Sequence, residues 1–286
     1  MIEENKNGGG QLNLLVSIEH AEHVCEWVRE ALGKEPIEVT QPMAEESLIE
    51  IYFDSLLEAE IAQKALPNDL SIQHSVAKEY TAQDWTTFWQ HHFKTVELGQ
   101  RLRIVPEWEE APVDDKINII INPGLSFGTG GHFTTKFCLE ALEEAFQTLE
   151  IDTMIDAGTG SGILSIAAIK LGISNVEAFD FDPICIDQCN LNAERNGVAG
   201  KINFFQADVL QSGWNAKPAD LICANILTSV LLEAAPRIKA AATQRILLSG
   251  IREIEADSIA DTFIQLGCKE LSREGDGQWC GIVLAV

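Results

Sequence analysis

The chain has 286 residues, 46% of them hydrophobic, enough for a sizeable core in one large or two moderate domains. It carries 20 Lys and Arg against 44 Asp and Glu, a net charge of −24, which argues against a nucleic-acid surface and favours basic partners through long-range steering, although solubility alone would also account for it. No apolar run reaches the length of a membrane-spanning helix, and seven scattered cysteines, an odd number, suit reduced thiols in the cytoplasm rather than a disulfide framework.

The opening "MIEENKNGGG" (1–10) is acidic, polar and glycine-rich, and reads as a disordered tail. It lacks the basic and then apolar regions of a secretory signal. Over 11–78 the pattern predicts a strand at 12–18 and a helix at 21–32, with Val24, Trp27, Val28 and Leu32 on one face. "PIEVT" is a short strand, 47–53 another, 56–66 a helix stopped by Pro67, and 70–76 a last strand. The order β-α-β-β-α-β is that of a small α+β, ferredoxin-like domain. It holds no catalytic constellation, so recognition, or cover for the rest, is its expected task. Residues 79–110 form a linker. Trp85, Phe88, Trp89, His92 and Phe93 recur at helical spacing, and such a stripe is core. Thr81 and Asp84 would start that helix. His91 and His92 point to different helix faces, and no metal is expected there. A strand and turn follow at 101–108.

From 111 to 286 strands and helices alternate. Strands are expected at 116–122, 152–158, 175–182, 201–208, 219–226 and 244–250. Helices are expected at 132–149, 162–172, 183–197, 229–240 and 253–267, with closing strands at 269–275 and 278–286. This is an α/β pattern, a doubly wound, mostly parallel, Rossmann-like sheet. Ligands of such sheets bind at the carboxyl ends of the strands, here after 157, 179, 207 and 224.

"MIDAGTGSGILSIAAIKLG" is a strand, a glycine-rich turn and a helix. Gly158, Gly160 and Gly162 are spaced G-x-G-x-G, and position 163 is Ile, which breaks the dinucleotide fingerprint and weighs against NAD. Asp156 ends the strand, where it would repel a pyrophosphate and welcome an ammonium. Asp180, at the end of the next strand, suits both ribose hydroxyls. Asp208, after the third, suits an adenine amine. Three acids without a basic phosphate clamp fit S-adenosylmethionine better than NAD or ATP. Asp182 before Pro183 reads as a helix cap. Cys185 and Cys189, four apart without further ligands, read as a buried thiol pair rather than a metal site.

"DAGTGSGILSIAAIKLG" with "FDFDP" resembles the first motifs of class I S-adenosylmethionine-dependent methyltransferases. "NPGLSFGTGGHFTTKFCLEAL" (122–142) is closer still to the ribosomal protein L11 methyltransferase (PrmA) family, whose loop reads P-G-x-x-F-G-T-G-x-H-x-T-T. "DWTTFWQHHF", "RLRIVPEW", "NAERNG", "ANIL" and the terminal "WC" extend the resemblance over roughly 80–286. Phe133 stands where the family usually has proline, and Gly131 where threonine or histidine is commoner.

The resemblance implies a Rossmann-like methyltransferase domain behind a small recognition domain, with S-adenosylmethionine as cofactor. It assigns Thr135, Gly158, Asp180 and Asn225 to that cofactor, joined by Gly160 and Asp208 from the turn and strand order. Phe127 and Gly128 belong to the loop expected to close over the cofactor's methionine end. Asn225 would also be catalytic, its side-chain carbonyl, with the backbone carbonyl of Ala224 or Ile226, orienting an amine. His132 is the nearest titratable catalytic candidate, and bracing the loop is its alternative task. The expected reaction is amine methylation of a basic large-subunit ribosomal protein, on lysine side chains and/or the N-terminal amine. Another protein or a small amine is the alternative substrate, and a cofactor-binding scaffold without turnover the alternative class. Asn225 is followed by Ile and Leu rather than the Pro-Pro-aromatic step of base-modifying relatives.

Overall fold

A computed structural model describes residues 9–34, 36–40, 46–67, 70–80, 94–122, 132–211, 214 and 217–286. The chain divides into two compact units, residues 1–91 and 92–286. The aromatic stripe at 85–93 lies outside the described residues, as does Thr81.

In the first unit β1 (Gly9–Ser17), β2 (Ile37–Thr40), β3 (Glu46–Phe53) and β4 (Ile72–Tyr80) form an antiparallel sheet in the order β2-β3-β1-β4. The helix Ile18–Trp27, prolonged by one wide turn to Leu32, and the helix Leu56–Lys64 complete a ferredoxin-like order. Strand alternation explains the core. Leu12 and Leu14 pair with Ile51 and Ile49, and all four are buried with Val24, Val28 and Ala59 from the helices. Ser55 caps the second helix by accepting from the Glu58 N–H at 3.3 Å. The strand starts at Gly9, inside the stretch read as a tail. A Cβ on Gly10 would lie 2.2 Å from the Ser55 carbonyl oxygen, so the glycine that looked like tail composition is a packing requirement.

The second unit holds a seven-stranded sheet in the order β10-β9-β8-β11-β12-β14-β13. Its strands are β8 (Thr153–Ala157), β9 (Asn175–Asp180), β10 (Ile202–Gln206), β11 (Ala219–Asn225), β12 (Ala242–Arg252), β13 (Lys269–Gly275) and β14 (Trp279–Ala285). The first five run parallel, and β14 is antiparallel to both its neighbours. The chain order reverses between β8 and β11, which makes their carboxyl ends the crevice of the fold. The helix Ile163–Leu171 is apolar on nearly every side because the sheet covers one flank and other elements the rest. No helix among the described residues is long and apolar enough to cross a membrane.

One strand departs from the expected pattern. β7 (Ile117–Ile121) does not open the large sheet; it pairs parallel with β6 (Leu102–Pro106), itself antiparallel to β5 (Val96–Leu98). Side chains fix this arrangement. Asn196 bonds both backbone groups of Ile120, accepting at 2.8 Å and donating at 2.6 Å, and the Lys170 ammonium donates to the Asn118 carbonyl at 2.6 Å.

Candidate active site

A cavity of about 460 Å³ opens at the carboxyl ends of β8, β9, β11 and β12. Its floor is the glycine turn. Gly158 and Thr159 both donate backbone N–H to the Phe179 carbonyl, at 2.9 and 3.0 Å, which pins the turn to the end of β9. Gly158 has φ +74°, and a Cβ there would lie 2.3 Å from Ile226 Cγ2. Gly162, with φ +81°, starts the next helix against Cys189, whose Sγ would be 3.1 Å from a Cβ. The first glycine thus leaves room above the turn and the third lets two helices touch.

Two carboxylates face this turn. Asp180 is buried and lines the cavity. Its Oδ2 accepts the Gly160 N–H at 3.0 Å and its Oδ1 the Asp182 N–H at 3.1 Å. A carboxylate has about four lone-pair sites, so two remain for hydroxyl donors. Asp156, behind the turn, has no exposed surface; its Oδ2 accepts from Thr159 and Ser165 at 2.7 and 2.6 Å, and its Oδ1 has no partner. Burial pushes its carboxyl up to about 6 against the two hydroxyls, and nearby Asp180 pushes the same way.

The opposite wall comes from the helix Phe133–Thr148 and the end of β11. His132 caps that helix, its Nδ1 accepting from the Thr134 N–H at 3.4 Å and lying 2.8 Å from Thr134 Oγ1. Burial lowers the His132 pKa; Lys136 adds to the effect and Asp276 opposes it. The ring meets Trp279 of β14 edge to face, centroids 5.2 Å apart. Asn225 ends β11 and donates from Nδ2 to Thr134 Oγ1 at 3.4 Å. Its Oδ1 is buried without a partner, and so is Thr135 Oγ1.

The fold therefore brings His132, Thr135, Gly158, Gly160, Asp180 and Asn225 to one cavity. Asp208 is not on its walls; the carboxylate closes a local turn, accepting from the Leu210 N–H at 2.9 Å and the Gln211 side chain at 3.3 Å. Phe127 and Gly128 lie outside the described residues. Asp182 caps the helix Pro183–Arg195, its side chain accepting from the Ile184 N–H at 2.9 Å. The thiol pair is only half buried, because Cys185 faces the cavity while Cys189 lies beneath Gly162.

Several lining residues were not assigned to the site from the sequence, among them Thr134, Gly250 and Trp279. Gly250 had a legible signal, a glycine ending the strand after Asn225's own; its φ is +77°, and a Cβ would lie 2.5 Å from the Ile226 carbonyl oxygen. Trp279 belongs to the terminal "WC" motif, but that motif did not place it at the cavity, since only the pairing of β12 with β14 carries it there.

The cavity suits a cationic nucleoside. Its described walls carry no lysine or arginine to clamp a pyrophosphate. They offer Asp180 at one end, and at the other two buried polar atoms awaiting partners, Thr135 Oγ1 and Asn225 Oδ1. Among the described residues no cluster of three metal-ligating side chains occurs.

The sequence profile of the ribosomal protein L11 methyltransferase (PrmA) family matches residues 14–286, well upstream of residue 80, where the legible motifs begin. The ribosomal protein L11 methyltransferase of Vibrio campbellii is 40% identical over 202 residues, covering 70% of this chain and 66% of the relative. That of Desulforamulus reducens is 35% identical over 205 residues, covering 71% of this chain and 65% of the relative. The chain thus spans just under two thirds of the length of these curated relatives. Among solved structures, ribosomal protein L11 methylase from Lactobacillus delbrueckii subsp. bulgaricus is similar with a TM-score of 0.61 and 32% identity, covering 67% of this chain and 98% of that one.

Proposed function

Because the chain belongs to the ribosomal protein L11 methyltransferase (PrmA) family, we propose that it methylates amines of ribosomal protein L11, lysine side chains and/or the N-terminal α-amine, with S-adenosylmethionine as donor. The observation that carries this reading is the unpartnered, buried Asn225 Oδ1 at the cavity wall. A buried acceptor without a donor costs about 1–3 kcal/mol, so its place argues for a ligand that supplies an N–H. An amine substrate is such a ligand.

When bound, S-adenosylmethionine supplies an electrophilic methyl group on a sulfonium. Asp180 accepts from the ribose hydroxyls with the lone pairs its backbone donors leave free. Thr135 Oγ1 finds its missing partner on the same ligand. Asp156 offers negative charge behind the turn to the ligand's ammonium, and its deep burial calls for such a cation. Asp208 is assigned to the adenine amine on its place after β10, and Phe127 and Gly128 to the cofactor on the resemblance of their loop. A lysine amine, with pKa near 10.4, reacts only after losing its proton, and among the described residues no strong base faces the cavity, so that proton leaves to water. Asn225 Oδ1 then accepts one remaining N–H and turns the nitrogen lone pair inward, and closing the cavity excludes water from the transfer. His132, neutral and capping a helix, braces this wall.

Residues 11–78 are the unit we assign to substrate recognition. The excess of acids suits a basic protein rather than nucleic acid. The seven cysteines form no disulfide, in keeping with a cytoplasmic site of action. The test is transfer from radiolabelled S-adenosylmethionine to purified L11 and, in parallel, to other large-subunit proteins, with an N225A control. Label on L11, lost in N225A while the cofactor Kd measured by calorimetry holds, is expected. Label confined to another protein would overturn the substrate assignment and keep the chemistry.

A further inference from the structure

We propose that Thr134 is a positioning residue for the transfer: its hydroxyl, held by His132, orients the Asn225 amide so that the carbonyl oxygen, and not the NH2, faces the amine. This rests on the role given to Asn225 above.

The polarity follows from one obligatory donor. The Thr134 backbone N–H can only donate, and it donates to His132 Nδ1 at 3.4 Å. Nδ1 therefore bears a lone pair. Thr134 Oγ1 lies 2.8 Å from the same atom, so its hydroxyl hydrogen must point there too. What remains on Thr134 Oγ1 is acceptor capacity, which takes the Asn225 Nδ2–H at 3.4 Å. Asn225 Oδ1 is left on the other side of the amide, buried and without a partner. Thr134 is 1% exposed, so water does not compete for its hydroxyl. The edge-to-face contact with Trp279 holds the His132 ring from the other side. The turn before Trp279 is itself fixed, since Asp276 Oδ1 accepts the Gln278 and Trp279 N–H groups at 3.0 and 2.7 Å.

The same reasoning runs backwards on protonation. A proton on Nδ1 makes it a donor, and the helix cap is lost. The Thr134 hydroxyl then accepts from the ring, and its hydrogen turns toward Asn225. The amide must flip, presenting NH2 to an amine that also donates. The charged groups acting on His132 among the described residues are Lys136, on its own helix, which disfavours the proton, and Asp276, on the β13–β14 turn, which favours it.

The experiment uses the full chain with L11 and S-adenosylmethionine, as wild type and as T134V, T134S and H132N. T134V is nearly isosteric but has no hydroxyl, and it should lower kcat about tenfold, with the L11 KM and the cofactor Kd within about twofold of wild type. T134S should restore kcat to within about threefold. H132N keeps an acceptor at the cap and should remove the His132 step from the acidic side of the kcat–pH profile, leaving the limb set by loss of the substrate amine's proton. A readout independent of L11 is the side-chain NH2 resonance of Asn225 in nitrogen-15-labelled protein, assigned with N225A. It should shift with the His132 titration in wild type and stay fixed in H132N. Wild-type kcat in T134V, or a loss that T134S does not rescue and that tracks weakened cofactor binding, would overturn the proposal. So would an Asn225 resonance indifferent to His132. If wild type binds cofactor and labels no L11 while that resonance still follows His132, the substrate reading fails and the positioning role stands.

Discussion

Asp156 shows how one residue can work against the fold. Its carboxyl sits near pKa 6 in the folded chain against an ordinary 3.8. The folded state thus holds the proton more tightly than the unfolded state, so stability falls as pH rises from about 4 to about 6, and the full cost is present above that. At 1.36 kcal/mol per pKa unit the cost comes to about 3 kcal/mol. D156N removes the charge and keeps the shape, although its new NH2 lacks an acceptor. It is expected to gain about 1–3 kcal/mol over wild type at pH 8 in urea unfolding without cofactor, and nothing at pH 4. Calorimetry should show it binding cofactor more weakly. An equal difference at both pH values would mean that ionisation of Asp156 is not the source. The residue was legible as an acid ending a strand before a glycine turn. Its strain was not, because burial to zero exposure depends on the Thr159 and Ser165 hydroxyls and on the helix that covers them.

At the scale of elements, what the sequence reveals depends on whether an element's partner is local. The strand–turn–helix run from Thr153 to Arg195 was readable because glycines at 158, 160, 162 and 172 and the Asp182–Pro183 cap punctuate it within the chain itself. β7 was not, because a five-residue isoleucine-rich strand fits either sheet, and Asn196 and Lys170, from distant helices, decide. The meeting of His132 with Trp279 was equally hidden, as it waits on strand pairing. Element junctions also carry hidden supports. Glu143, buried on the helix that begins at His132, accepts the N–H groups of Gln100 and Arg101 at 3.1 and 2.9 Å, clamping the β5–β6 turn to that helix. E143A strands both donors and should destabilise the chain by about 2–3 kcal/mol, read from the urea midpoint at an unchanged m-value. Hydrogen exchange should quicken first at the amides of Gln100 and Arg101. A midpoint within error of wild type would show that water replaces Glu143 at no cost.

For the whole molecule, the question left by composition is whether a net charge of −24 steers a basic partner or only keeps the chain soluble. The two differ in their response to salt. Steering acts over distances that ionic screening cuts from about 10 Å at 0.1 M toward 3 Å at 1 M, so it fades as salt rises, and it appears in the association rate. The groups around the cavity are another matter, because Asp156 and Asp180 are buried and feel bulk ions little. Raising sodium chloride from about 50 to about 500 mM should therefore lower kcat/KM for L11 by about tenfold, while the calorimetric Kd for cofactor moves less than about twofold. The kcat at saturating L11 should hold, since His132, Thr134 and Asn225 bond to one another in an enclosed wall. A kcat/KM flat across that range would assign the charge to solubility and leave recognition to shape and polar contacts. A fall in cofactor affinity of the same size would instead mean that the cavity is wetter than its buried carboxylates imply.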